Sequence, residues 1–220
     1  MNVAFFLPFS PYFVSCLTFK AFNNLWNCIA FAMTKKTTST LLGIITLVAV
    51  SRLLPHPPNF APLGAIAVFA SVTFGNRFLK YVLPVFLAII TDFILVLTVN
   101  AAFTSPAAHF GSFGSYIIYA TYPVMGLVAH FINKGKIHQK PKKIIGLSLA
   151  SSLFFFLVSN FVVWLGGWYG YTFAGLGASY IAAIPFFHNT IGGDLFYNAA
   201  LFGSYYWVTK SQRSQEAING

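Results

Sequence analysis

Two carboxylates in this 220-residue chain stand where carboxylates are costly. Asp92 lies in LPVFLAIITDFILVLTVN and Asp194 in IPFFHNTIGGDLFYN, both largely apolar. In hydrocarbon a charged side chain costs about 3 kcal/mol or more unless it meets a partner, a polar cavity or an ion path. Each acid therefore marks a site. Thr190, Asp194, Tyr197 and Asn198 recur at i, i+4, i+7 and i+8, which puts one polar face on an apolar helix. His188 and Asn189 stand at the expected start of that helix, where Asn189 is suited to cap it. Gly192-Gly193 leaves room for a ligand or a neighbouring helix. The plainer alternative for either acid is a carboxyl group that only hydrogen-bonds an adjacent helix.

Three further features could complete such a site. The segment Arg52-Leu-Leu-Pro-His-Pro-Pro-Asn-Phe-Ala-Pro62 has four prolines in eight positions, so it forms a stiff turn. That turn would hold His56, Asn59 and Phe60 over the mouth of a helix bundle, or would merely end one helix and start the next at Pro62. Arg52 either snorkels outward or neutralises an interior carboxylate, and the rigid segment behind it favours pairing. Asn160 and Trp164 share a helix face; the Asn160 amide needs an interior partner, whereas Trp164 would serve equally well as an interfacial anchor. Finally, Gly64, Ala67, Ser71 and Gly75 form a small-residue stripe, a contact face for a helix of this bundle or of another subunit.

The elements that must position these residues follow from composition. The chain is 57% hydrophobic and 7% charged, whereas a soluble domain carries about 25% charge, so an all-α integral membrane protein is expected. Apolar runs fall at about 38–54, 62–76, 80–99, 113–132, 143–166 and 189–209, six spans within a membrane domain over 34–213. Eleven of the twelve basic residues after Met33 fall in segments on one side of these runs. The loops at about 55–61, 100–112 and 167–188 on the other side have none, which places both termini in the cytoplasm. This orientation sets Asp92, Asp194 and Arg52 near one outer surface, as a single outward-half site. The net charge of +10 lies in clusters between apolar runs, as topology signals and anionic-lipid contacts, and does not imply nucleic acid. Residues 1–33, broken by Pro8 and Pro11, are expected to be a non-core extension with Met33 as the start; 214–220 reads as a cytoplasmic tail.

Catalytic and metal signatures are weak. Ser179 and His188 offer a serine–histidine pair without its surrounding motif, and nothing in the spacing of His56, His109 and His188 requires a metal site. Cys16 and Cys28 imply no disulfide framework, and no cofactor is expected. Together, RLLPHPPNFAP, Thr91-Asp92 and IPFFHNTIGGDLFYNA resemble an uncharacterised family of small bacterial membrane proteins, similar in turn to the substrate-binding S components of energy-coupling factor (ECF) transporters. That resemblance implies a bundle in the bacterial cytoplasmic membrane that captures a small molecule under its outer loops. A transmembrane coupling subunit and cytoplasmic ATPases would be its partners, and the small-residue stripe would be the coupling face. Arg52, His56, Asn59, Asp92, Asn160, Trp164, His188, Asn189, Asp194, Tyr197 and Asn198 would line the pocket. The competing expectations are a self-contained proton-linked carrier or channel and, behind it, an intramembrane enzyme built on Ser179 and His188.

Overall fold

A computed structural model describes residues 35–98, 105–132 and 140–219; the expected N-terminal extension and the basic residues Lys134 and Lys136 lie outside them. The described residues form seven α-helices and no strand. They are α1 (Lys35–Val50), prolonged by a 3-10 turn at Ser51–Leu53, α2 (Leu63–Thr73), α3 (Arg77–Thr98), α4 (Pro106–Phe110), α5 (Phe113–Ile132), α6 (Pro141–Leu165) and α7 (Phe173–Asn219). Three of them, α3, α5 and α6, are long and apolar enough to cross a membrane. The outward face of α3 shows why lipid is the matching solvent: Phe86, Ile90, Phe93 and Leu97 are exposed while Leu87, Ala88 and Thr91 are buried. In water, so large an apolar surface would be an association site.

The centre of the bundle is α2. Eight of its eleven residues are buried, and α3, α5, α6 and α7 all pack on it. At 1.5 Å per residue it is only about 16 Å long, about half the hydrocarbon thickness. Ala67 and Ser71 of the small-residue stripe are used here, inside the chain: a Cβ on Gly126 of α5 would lie 3.4 Å from Ser71 Cβ and 3.5 Å from the Ala67 carbonyl. Gly75 lies beyond the end of α2, and a Cβ there would meet nothing. Within the stripe, Ala67 and Ser71 therefore pack inside the bundle, as one of the two expected alternatives has it, while Gly75 stays exposed.

The last helix departs most from expectation. The stretch 167–188, expected as an outer loop, is helical from Phe173, and one helix of 47 residues continues through the expected tail to Asn219. Pro185 lies within it; in an apolar bundle a proline is tolerated where neighbouring groups satisfy the freed carbonyl. Asn189 is accordingly interior to α7 and caps nothing; its Nδ2 donates to the Pro58 carbonyl at 3.0 Å. The glycine pair beside it accommodates the proline-rich segment, since a Cβ on Gly193 would come within 3.2 Å of Phe60 Cα and Ala61 N. Phe60 then packs on Phe196 and Tyr197, with ring centroids 5.9 and 5.6 Å away. The loop expected over 100–112 also contains α4, whose first turn is capped by Ser105 Oγ accepting from the Ala108 amide at 3.2 Å.

Within the proline-rich turn, Asn59 has φ of 65°. Asparagine and glycine tolerate that left-handed conformation, whereas a branched side chain is strained by about 1–2 kcal/mol. Asn59→Val is expected to lower the thermal midpoint in detergent and Asn59→Gly to leave it nearly unchanged. Equal midpoints for the two variants would show that the turn relaxes freely.

Candidate functional site

Asp92 is the hub of the first polar cluster. Arg52, at the end of α1, forms an ion pair with its Oδ1 and donates through Nη1 to Thr91 Oγ1 at 2.8 Å. The Tyr119 hydroxyl of α5 donates to Asp92 Oδ2 at 2.8 Å. His109 Nε2 lies 3.5 Å from the same oxygen and 3.4 Å from the Tyr119 hydroxyl. Four elements thus meet at one carboxylate. The short helix α4 brings His109 there because Ser115 Oγ of α5 donates to the His109 carbonyl at 2.6 Å and Phe110 stacks on Tyr119. Beside the carboxylate a cavity of about 250 Å³ is bounded by Asp92, His109, Ser112, Ser115 and Tyr119, with Val162 of α6 opposite. Arg52 and Asp92 keep 18% and 14% of their side-chain surface and His109 keeps 30%, so the cluster is shielded but reachable.

Asp194 belongs to a second cluster with a different character. Ser152 Oγ of α6 donates to its Oδ2 at 2.6 Å. Its other oxygen faces the first turn of α2, so closely that a Cβ on Gly64 would lie 2.5 Å from Oδ1. The Ala65 amide at that turn also faces this carboxylate, and Ser151, whose hydroxyl donates to the Ser148 carbonyl at 2.9 Å, lies beside it. Pro62, at the α2 N-cap, makes no side-chain capping bond, yet the first amides of any helix need acceptors and its N-terminus favours negative charge. Asp194 sets a carboxyl oxygen there from another helix. One turn further along α7, Asn198 Nδ2 donates to Ser148 Oγ at 3.1 Å. A cavity of about 30 Å³ between Asn59, Tyr122, Met125, Thr190 and Asp194 has room for little more than a water molecule.

Among the described residues no hydrogen bond or ion pair joins the two acids, and they border different cavities. The link is indirect, through the turn that follows α1. Arg52 reaches Asp92, while its neighbour Ser51 donates to the Tyr197 hydroxyl on α7 at 3.1 Å. The other expected pocket residues scatter. His56 folds back on its own turn, within 2.9 Å of the Pro57 carbonyl and 3.2 Å of the Arg52 carbonyl. Asn160 donates to the Phe156 carbonyl of its own helix at 2.8 Å, and Trp164 Nε1 donates to the Thr172 carbonyl at 3.2 Å, closing the α6–α7 connection. His188 is exposed. Ser179, nine residues before it on the same helix, is buried and about 13 Å away along the axis on the opposite side, so the serine–histidine pair does not converge. Tyr119, Ser112 and Ser115 are site residues that sequence reasoning misses, and it considers His109 only as a metal ligand. No group of three or more metal-ligating side chains occurs among the described residues.

The fold and its polar clusters define an all-helical protein with three helices fit to cross a membrane and a carboxylate at the hub of a shielded cavity. The chain belongs to the family of unknown function DUF6580, whose pattern matches residues 32–217. No curated protein and no solved structure matches it.

Proposed function

We propose that this chain is a substrate-capturing membrane subunit of the ECF importer type, and that its ligand enters the cavity beside Asp92. In this reading the six apolar segments all lie in a bacterial cytoplasmic membrane with both termini inside, and separate coupling and ATPase subunits supply the power. The observation that carries it is the Asp92 carboxylate, held by Arg52, Tyr119 and His109 at the edge of a cavity of about 250 Å³. A carboxylate wholly consumed by structure would have no need of adjoining space. Because Arg52 offsets the charge of Asp92, the site suits a small polar molecule that donates to the carboxylate and meets the hydroxyls of Ser112 and Ser115. Of the small-residue stripe, Gly75 at the end of α2 is the exposed part that a coupling subunit could meet.

The test is ligand retention by purified protein. Native mass spectrometry and thermal-shift screening against vitamins, nucleobases and amines should reveal a bound class, with binding weakened at least tenfold by Asp92→Asn. A wild-type protein that carries nothing and shifts with nothing would refute the proposal. The self-contained carrier makes the opposite forecast on a second measurement: uptake into liposomes containing this chain alone.

A further inference from the structure

A third cavity lies between α6 and α7, adjoining the Asp194 cluster but lined by neither carboxylate, and its volume is about 540 Å³. Its walls are Pro141, Ile144 and Ile145 on α6 and Leu195, Phe202 and Tyr206 on α7. Ser148 and Asn198, already bonded to each other, are the polar residues at its inner end. The helices run antiparallel here, so the groove extends from the first turn of α6 inward along about 10 Å of that helix.

What lies at its outer end decides the occupant. Pro141 is flanked by Lys140 and Lys142, and Lys210 stands one turn beyond Tyr206; all three are exposed, while Lys143 falls on the far side of α6. Asp92 and Asp194, the acids whose side chains are described, both face other elements. Lys140, at the N-cap of α6, makes no side-chain capping bond, so the positive end of that helix faces the same place. An apolar groove ending near Lys140, Lys142 and Lys210 matches a molecule with an aliphatic chain and an anionic head.

We infer that the α6–α7 groove holds one acyl chain of an anionic phospholipid, with its phosphate among Lys140, Lys142 and Lys210. The inference needs only that the chain resides in a bilayer, and it is independent of what binds at Asp92. A lipid seated here packs against Ser148 and Asn198, the residues next to the Asp194 cluster, and so supports the α6–α7 contact from the outside.

The test uses full-length protein reconstituted in bilayers of equal parts phosphatidylglycerol and phosphatidylcholine, then extracted in mild detergent for native mass spectrometry. Wild type should retain one phosphatidylglycerol with at least fivefold preference over phosphatidylcholine. A variant with Lys140, Lys142 and Lys210 all changed to Gln should lose that preference, and Lys143→Gln, on the far side of α6, should keep it. Gly203→Phe should lose retention of either lipid, because a Cβ at Gly203 meets nothing and the ring has the groove to fill. Ala199→Phe, from the same wall, provides a second blocking variant should the first fold poorly. Equal retention of the two lipids by wild type, preference that survives the loss of the lysines, or retention that survives a folded blocking variant would each overturn the assignment.

Discussion

Replacing Arg52 by leucine is expected to destabilise the protein by about 3 kcal/mol, and adding Asp92→Asn is expected to restore most of that loss. The size follows from where the pair sits. Exposed ion pairs contribute about 0–1 kcal/mol, whereas removing one partner of a buried pair costs about 3–5 kcal/mol because the other charge is stranded. Side-chain exposures of 18% and 14% place this pair near the buried limit. Asp92 keeps the Tyr119 hydroxyl when Arg52 is lost, which points to the lower end of the range. Asparagine removes the stranded charge and still accepts from Tyr119, hence the rescue. Denaturant unfolding in mixed micelles checks both numbers. Equal stability of the single and double variants would mean that the pairing is incidental.

The second large effect is expected at the start of α2. Asp194→Ala takes the acceptor from the buried Ser152 hydroxyl and from the Ala65 amide at the start of α2, and each buried orphan costs about 1–3 kcal/mol, so a loss of about 3 kcal/mol is expected. Gly64→Ala should be of similar severity: its Cβ would lie 2.5 Å from Asp194 Oδ1, and α2, enclosed by four helices, has little room to retreat. The two changes should not add. Once the carboxylate is gone, the methyl group introduced by Gly64→Ala occupies its space, so the double variant should be little worse than Asp194→Ala. Strict additivity in that cycle would show that the two residues are not in contact.

The contrast between the two acids explains what is legible in the sequence. The Arg52–Asp92 pair is foreseeable, because a basic residue ahead of a proline-rich turn has few places to go. The partner of Asp194 is not, since it is the backbone of another helix and sequence spacing says nothing about which helix end faces it. One signal is nevertheless present: α2 begins Pro62-Leu63-Gly64-Ala65, without Ser, Thr, Asp or Asn to cap it, so an outside acceptor is required. His109 and Tyr119 converge on Asp92 from 17 and 27 residues away, a distance no periodicity spans. The helical pattern itself is legible where apolar runs are clean, as in α3, α5 and α6. It fails at α7, where Pro185 and the polar His188-Asn189 suggest a boundary. Packing against the loop at Phe60 and Ala61 carries the helix through.

The shortness of α2 bears on how the chain enters a bilayer. About 16 Å of helix is too little to be retained in hydrocarbon by its own apolar surface, and its leading amides would enter unsatisfied. The acceptor for those amides is on α7, which is synthesised more than a hundred residues later. Between the two events α2 has no complete environment. A chain interrupted before Asp194 is synthesised is therefore expected to lack both that acceptor and the α7 face that packs on α2.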